Sequence, residues 1–193
     1  MSIRSWIKSL FGSTTEAKDW LVSHSGKQIR PLQLTLEDID IEDIAHGLSL
    51  QCRYMGQIKF HYSVALHSIW VSFKVPLKYA LEGLLHDASE AYFQDIIRPL
   101  KYSTIFKAYR KVEKECEEKI ARKYGLVYPW PDCVKEADNR MCMTERRDLV
   151  SPHAWEWFNH DIAPYPETLP EVDPATVKRL FLERFNQLTT ERE

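Results

Sequence analysis

Apolar residues recur every three or four positions along nearly the whole chain, and this spacing constrains the fold more than any other feature. Ile41, Ile44 and Leu48 share one face of a helix in this way. In the segment 62–73 apolar residues surround the helix, which predicts a central, buried position. We find no internal repeat, no convincing pair of strands and no linker long enough to divide the chain. The sequence therefore predicts an all-α fold, with a single domain over residues 1–193 that holds about six or seven helices.

Capping residues and helix breakers set the expected boundaries of the other helices. Residues 20–38 carry turn signals and are expected to be irregular or in short extended structure. Asp40, Asp132 and Asp173 are suited to N-capping, and a proline follows the last of them. Helices are expected over 1–12 (amphipathic), over 76–93, over 104–124 with its end at Gly125, from Asp132 onward, and over 173–190.

The composition is that of a globular protein without a nucleic-acid polymer as partner. The 193 residues carry 26 basic and 28 acidic side chains, a formal net charge of −2, whereas coating a nucleic acid requires a basic excess. The 4 cysteines form no C-x-x-C pair and predict free thiols in a reducing cytoplasm. No run of about 18 apolar residues is present, so no membrane partner is expected. The amphipathic segment 1–12 suits packing on its own domain or on a sister subunit better than a membrane surface.

Two histidines and two aspartates stand where the helices are expected to be buried. His67 lies on the nearly all-apolar helix, His86 and Asp87 follow an apolar run, and Asp138 lies on a third helix. Each alone has an ordinary explanation, as a hydrogen-bonded core histidine or a solvated aspartate. Together, when buried, they need partners, and a divalent cation is the natural one. Imidazole and carboxylate ligands suit Zn, Mn, Fe or Co and leave coordination positions open for water and substrate.

Three stretches of sequence resemble a known superfamily: YSVALHS, LLHDASEAYFQDIIRPLK and EADNRMCMTERRDL. Their order, a His, then His-Asp, then a distant Asp, resembles the HD-domain metal-dependent phosphohydrolase superfamily and, within it, the 5′-deoxynucleotidase-like branch. The stretch from Trp20 to Ser72 is similar to small phage-encoded members, some of which are dNTP, notably dATP, triphosphohydrolases. The resemblance covers about residues 20–150 and implies an HD-type helical bundle.

This resemblance assigns metal binding to His67, His86, Asp87 and Asp138, with one divalent ion, Zn, Co or Mn. No histidine lies between Asp87 and Asp138, which is similar to the single-quartet members rather than the dinuclear ones. The resemblance also implies a homo-oligomer, either a dimer or a hexamer.

The resemblance further implies which residues act on the substrate. Glu90 and Asp95 are the candidate catalytic acid/base groups, and they could hold further divalent ions with a bound polyphosphate. Without a catalytic role, Glu90 would be an exposed carboxylate on a helix and Asp95 would be a residue that forms a turn. Arg53 is expected to bind the substrate phosphate, with the aromatic Tyr54 beside it. Gln57 and Trp20 are weaker candidates for the base pocket, and the alternative for Trp20 is a position in the core. Arg98 and Lys101 could supply further positive charge for phosphates, and their alternative is a solvated loop.

The implied reaction is hydrolysis of a deoxynucleotide at the phosphorus nearest the sugar by a metal-activated water. The first expectation is a dNTP triphosphohydrolase, with dATP as one candidate substrate, that releases deoxynucleoside and tripolyphosphate. The alternative is a 5′-deoxynucleotidase that acts on monophosphates. Further alternatives are a non-catalytic nucleotide-binding HD module and an interaction protein tethered by its amphipathic N-terminus.

Overall fold

The computed structural model describes residues 19–152 and 160–192, and over them it confirms a single, mostly helical domain. The amphipathic helix expected over 1–12 lies outside the described residues. A short ribbon of two strands precedes the helices. In chain order the elements are β1 (Leu21–Val22), β2 (Gln28–Ile29), α1 (Ile41–Leu50), α2 (Val64–Lys74), α3 (Ala80–Leu85), α4 (Glu90–Phe93), α5 (Arg98–Lys101), α6 (Lys107–Tyr124), α7 (Asp132–Leu149) and α8 (Pro174–Thr190), with 3-10 turns at Pro31–Gln33, Arg53–Gly56 and Leu77–Tyr79.

The ribbon near the start of the described chain is antiparallel, with Leu21 opposite Ile29. Its turn contains Gly26 at φ 84°, a left-handed conformation that glycine adopts without strain. The expectation of short extended structure over 20–38 is confirmed. The expectation that no strands pair is wrong, because strands of two residues are too short to show an alternating pattern.

The helix α2 lies at the centre of the fold, as its nearly all-apolar sequence predicts. Ser63 caps it by accepting a hydrogen bond from Leu66 N at 3.2 Å. Both α3 and α8 pack against it. Gly83 of α3 allows a close approach, because a Cβ atom at that position would lie 3.1 Å from the Cα of Ser72. This packing buries the residues from Val64 to Ile69, so His67 points into the protein interior.

The continuous helix expected over 76–93 is broken in the structure, and that prediction is wrong. α3 ends at Leu85 and α4 begins only at Glu90. Between them the backbone tightens, because Ala88 N donates to Leu85 O and Glu90 N donates to Asp87 O. Such bonds span three residues instead of the four of an α-helix. Apolar residues three or four positions apart fit both arrangements, so the sequence pattern does not separate them. The tightened turn carries the His-Asp pair.

Two of the three predicted N-caps are confirmed. Asp40 accepts a hydrogen bond at 2.9 Å from a backbone N–H in the first turn of α1, and Asp173 accepts one at 3.0 Å in α8. The cap assigned to Asp132 is wrong, because it is the first residue of α7 and Pro131 occupies the cap position. The backbone O of Pro131 accepts the first hydrogen bond of the helix, from Val134 N at 2.9 Å.

The helix α6 begins at Lys107, later than the expected residue 104, because turns occupy the residues before it. It ends at Gly125 with φ 63°, as expected for a left-handed C-cap. Within residues 19–152 and 160–192, no helix is long and apolar enough to cross a membrane.

Candidate metal centre

The four residues expected to bind a metal come together from three helical regions. His67 lies in the middle of α2, His86 and Asp87 lie in the tightened turn after α3, and Asp138 lies on α7. The two histidines are buried, whereas the Asp87 and Asp138 side chains are partly open to the cavity in front of them. Side chains from separate helices can therefore meet around one point, as the sequence predicts.

The ligand atoms of this group lie close to one another. One ligand atom from each of His67, His86 and Asp87 lies within 4.8 Å of the other two, and Asp87 Oδ2 is 3.7 Å from His67 Nε2 and 3.3 Å from His86 Nε2. Asp138 Oδ1 lies 3.2 Å from His67 Nε2 and 4.0 Å from His86 Nε2. The cluster of His67, His86 and Asp87 can hold a metal ion, and Asp138 stands beside it.

Each histidine is oriented by a hydrogen bond from its other ring nitrogen. His67 Nδ1 lies 2.6 Å from Glu145 Oε1, and His86 Nδ1 lies 2.9 Å from the backbone O of Gly83. A carboxylate and a carbonyl only accept, so both Nδ1 atoms must carry the proton. In neutral imidazole this leaves a lone pair on each Nε2, which is the form that binds a metal.

The donor set fits a divalent cation. Across the described part of the chain, His67 Nε2 and His86 Nε2 are among the buried side-chain atoms that lack a hydrogen-bond partner. Buried lone pairs of this kind are costly unless a cation or proton satisfies them. Two imidazole nitrogens and two carboxylates are also the ligand types that borderline divalent metals prefer.

Without a metal, protons take the place of the cation. Burial and the Arg53 charge lower the pKa of His67, but Glu145 and Asp138 outweigh them and raise that pKa to about 9. Burial also lowers the pKa of His86, and Asp87 reverses this, so that pKa is raised. Burial opposes ionisation of both aspartates, yet the adjacent histidines hold the pKa of Asp87 and of Asp138 below the usual value.

A cavity of about 1000 Å³ opens in front of this centre. Nearly all the residues that the sequence analysis assigned to the substrate line it, but Trp20, which is half-buried, is not among the lining residues. The predicted residues that line the cavity are Arg53, Tyr54, Gln57, Asp87, Glu90, Asp95, Arg98, Lys101 and Asp138.

Arg53 is buried in the cavity wall and is bound by protein side chains. Its Nε donates to Glu145 Oε2 at 3.1 Å, and one terminal nitrogen lies 3.6 Å from Asp87 Oδ2. A second terminal nitrogen lies 3.5 Å from the sulfur of Cys142. The guanidinium is therefore fixed at the edge of the metal centre. Its Nε contacts Glu145, and a terminal nitrogen points towards Asp87.

Tyr54 and Met55 adopt a strained backbone at the cavity wall. Both have φ 55°, in the left-handed region that residues with a Cβ rarely adopt. The hydroxyl of Tyr54 donates to Glu145 Oε2 at 2.6 Å, which fixes the side chain in this conformation. Strain of this kind is concentrated at functional sites, where surrounding contacts impose it. The sequence gives no signal for it.

Glu90 is buried and Asp95 is half-buried in the wall of the same cavity, so Glu90 is not an exposed helix carboxylate, while Asp95 lies in the irregular segment 94–97. Glu90 is 5% exposed, and its Oε2 is among the buried atoms without a hydrogen-bond partner. Burial, with the Asp87 and Asp95 charges, raises the pKa of Glu90 well above its usual value. Burial raises the pKa of Asp95 as well. Gln51 joins their two segments, because it donates to Glu90 O at 2.9 Å and accepts from Asp95 N at 3.2 Å.

Lys101 reaches the centre from α5 between two glutamates. Its Nζ lies 2.9 Å from Glu113 and 4.0 Å from Glu90. Burial lowers the pKa of Lys101, but Glu113 outweighs it and the pKa is raised. The lysine is therefore a fixed positive charge rather than part of a solvated loop. Arg98 and Gln57 also line the cavity, and both are exposed.

Glu145 is the site residue that sequence reasoning missed. It is fully buried on α7 and contacts His67, Arg53 and Tyr54. A signal was present, because Asp138, Cys142 and Glu145 recur four and then three positions apart, on one face of a helix. The hydropathy of that face is mixed, so the pattern did not mark it as buried.

The comparison with curated proteins decides the family of this chain. It is 38% identical over 176 residues to the protein YfdR of Escherichia coli (strain K12), an alignment that covers 90% of this chain and 98% of YfdR. The chain belongs to the YfdR family. YfdR is itself described as uncharacterized.

A second relative of this YfdR-family chain is the uncharacterized protein RCAP_rcc00048 of Rhodobacter capsulatus. The two are 35% identical over 127 residues, which cover 61% of this chain and 64% of that protein. No family model matches the chain. Membership of the YfdR family therefore carries no activity with it, and the function must be argued from the site.

Proposed function

We propose that this protein is a metal-dependent phosphohydrolase of the HD type, with deoxynucleoside triphosphates as its substrates. The observation that carries the proposal is the convergence of two imidazole nitrogens and two carboxylates at one end of a cavity. The same cavity is lined by Arg53, Arg98 and Lys101. The centre suits a divalent cation, and the basic side chains suit a substrate with several negative charges.

In this proposal His67, His86, Asp87 and Asp138 hold the ion. A divalent ion bound there supplies a Lewis acid and lowers the pKa of water to near neutrality. Glu145 and the backbone carbonyl of Gly83 keep the proton on Nδ1 of each histidine, so that both Nε2 atoms remain available.

Glu90 is the proposed proton donor. Burial and the Asp87 and Asp95 charges raise the pKa of Glu90, which favours the protonated carboxyl group that a proton donor needs. The unpartnered Oε2 lies in the cavity lining, where it can orient a water molecule or protonate the leaving 5′-oxygen. General acid catalysis of this kind contributes about 10²–10⁴-fold to a rate. Asp95, whose pKa is also raised, is the second candidate for this role.

The basic side chains are proposed to bind phosphates. Arg53 lies at the edge of the metal centre and would contact the phosphate nearest the sugar. Arg98 and Lys101 line the cavity beyond it and would contact the outer phosphates. The cavity of about 1000 Å³ is at the upper end of the size range of small-molecule pockets, so it has room for a triphosphate.

One observation favours the second candidate, a 5′-deoxynucleotidase. Arg53 and Lys101 are already paired with Glu145 and Glu113, which reduces the positive charge that is left for outer phosphates. A monophosphate needs less of that charge than a triphosphate. The two candidates share one centre and one site of attack, so they differ only in the substrate.

Phosphorus NMR of the products separates these candidates. The purified protein is incubated with each dNTP and each dNMP in the presence of Co²⁺ or Mn²⁺. Tripolyphosphate released from a dNTP supports the proposal and identifies the base. Orthophosphate from a dNMP, with the dNTPs untouched, supports the 5′-deoxynucleotidase. No new resonance across the panel, with metal bound, contradicts both and favours a non-catalytic nucleotide-binding module.

A further inference from the structure

We propose that Glu145 is a positioning residue that fixes the tautomer of His67 and the orientation of Arg53 together. The inference rests on the metal centre in the proposed function and deepens it. Glu145 is fully buried, and both of its oxygens are occupied by donors. His67 Nδ1 lies 2.6 Å from Oε1, while the Tyr54 hydroxyl and Arg53 Nε lie 2.6 and 3.1 Å from Oε2.

This arrangement requires a group that only accepts hydrogen bonds. Arg53 has no acceptor at all, and its Nε–H must point at an oxygen. His67 can act as donor or acceptor at Nδ1, depending on its tautomer. An ionised carboxylate presents two acceptors and no donor, so it forces the His67 proton onto Nδ1 and leaves the Nε2 lone pair for a metal. One side chain thereby couples a metal ligand to a substrate-binding residue.

Replacing Glu145 with glutamine tests this coupling, because an amide has one acceptor and one donor side. If the amide nitrogen faced Arg53 and Tyr54, the Tyr54 hydroxyl could turn and accept from it, but the Arg53 Nε–H would oppose it with no way to become an acceptor. If the amide nitrogen faced His67, it would oppose the Nδ1–H of His67. His67 relieves that conflict by moving its proton to Nε2. In that tautomer Nε2–H can donate to Asp138 Oδ1, which lies 3.2 Å away. The second arrangement is therefore favoured, and it removes the lone pair that binds the metal.

The experiment is a titration with Co²⁺, followed by the visible absorption of the bound ion and by competition with a chelator. Glu145→Gln is expected to bind Co²⁺ about 10–100-fold more weakly than the wild-type chain, the usual effect of losing an outer-shell partner. Glu82→Gln is the matched control. Glu82 is also a buried glutamate, 1% exposed, and it accepts from Val127 N at 3.1 Å in a part of α3 that does not ligate the ion. That variant is expected to lose thermal stability and to keep its Co²⁺ affinity within about twofold of wild type.

A second variant keeps the test decisive if Glu145→Gln does not fold. Tyr54→Phe removes one donor to Oε2 and leaves the carboxylate in place. Loss of one hydrogen bond to the carboxylate is expected to weaken Co²⁺ binding by about twofold to tenfold. Unchanged Co²⁺ affinity in folded Glu145→Gln, or in Tyr54→Phe where the first variant is unfolded, would overturn the proposal.

The Co²⁺ titration is independent of any hydrolysis. If the wild-type chain binds Co²⁺ at the centre but hydrolyses no nucleotide, the proposed function fails and the titration still decides the role of Glu145. If the nucleotides are hydrolysed and Glu145→Gln binds Co²⁺ normally, the proposed function holds and the role of Glu145 fails.

Discussion

The imidazoles of His67 and His86 differ from those of ordinary core histidines because their Nε2 atoms have no hydrogen-bond partner. A core histidine satisfies both ring nitrogens within the protein, whereas His67 and His86 each use only Nδ1. Their Nε2 atoms face Asp87 and Asp138 instead. The proposed function therefore assigns two roles to single residues: the histidines and aspartates hold a cation, and Glu90 donates a proton.

This separation predicts different effects for the two kinds of residue. Glu90→Gln should retain the bound metal, since Glu90 is not among the expected ligands, but lower kcat by about 10²–10⁴-fold. Elemental analysis measures the metal content, and a product assay measures turnover. Wild-type turnover in this variant would show that the acid/base assignment is wrong.

The raised pKa of His67 predicts a pH dependence of metal binding. The pKa of His67 in the metal-free chain is about 9, above its usual value of 6.5. Protonation of His67 therefore stabilises the folded metal-free protein. This contribution is fully present below pH 6.5 and is lost as the pH rises through about 9. A metal must displace that proton. The apparent Co²⁺ affinity should therefore rise by at least about tenfold per pH unit between pH 7 and 9 and then level off. Calorimetric titration at several pH values measures this, and an affinity that is flat over the range would contradict it.

At the scale of helices and turns, the contact between α2 and α3 positions the centre. His67 lies on α2, and the turn with the His-Asp pair follows α3 directly. Gly83 allows the two helices to approach, because even a Cβ there would lie 3.1 Å from a backbone atom of α2. The distance between the two imidazole rings, 5.3 Å between centroids, depends on this approach.

Gly83→Ala should therefore destabilise the protein and weaken metal binding. Overpacking in a core costs about 1–3 kcal/mol, which exceeds the gain in helix propensity of up to about 1 kcal/mol. Gly47→Ala in α1 is the control, since its Cβ would meet the Ala91 side chain at 3.4 Å, an ordinary contact. Urea unfolding of both variants tests this. A Gly83→Ala variant as stable as Gly47→Ala would contradict the account of the helix contact.

The sequence predicts most of the helices and most of the residues that meet at the candidate centre, but it misses one turn and one site residue. Helix periodicity located α2 and α8, and the family resemblance in the order of His, His-Asp and Asp identified candidate ligands that the structure brings together. The tightened turn at 86–89 was missed because its apolar spacing is also that of a helix. Glu145 was missed because its helical spacing from Asp138 and Cys142 does not show that this face is buried, and its contact with His67 forms only when α2 and α7 pack.

For the whole molecule, metal binding and folding are expected to be linked. The centre joins α2, α7 and the turn after α3, so a bound ion ties together regions that are far apart in sequence. An ion present at 100 times its dissociation constant stabilises the folded state by about 2.7 kcal/mol. For a domain of this size that is a rise in Tm of roughly 5–10 °C. Differential scanning fluorimetry with Co²⁺, reversed by excess chelator, measures the shift. An unchanged Tm at high Co²⁺ concentration would show that the folded chain does not bind the ion in preference to the unfolded chain, and would contradict the proposed centre.

Equilibrium dialysis against Co²⁺ shows whether His67, His86, Asp87 and Asp138 bind one divalent ion. Bound Co²⁺ per chain is counted in the wild-type protein and in Asp138→Ala, with circular dichroism to verify that the variant is folded. We expect one tightly bound ion per wild-type chain and loss of that ion in the variant. A wild-type chain that binds no Co²⁺, or a folded Asp138→Ala chain that binds it as tightly as wild type, would contradict this expectation.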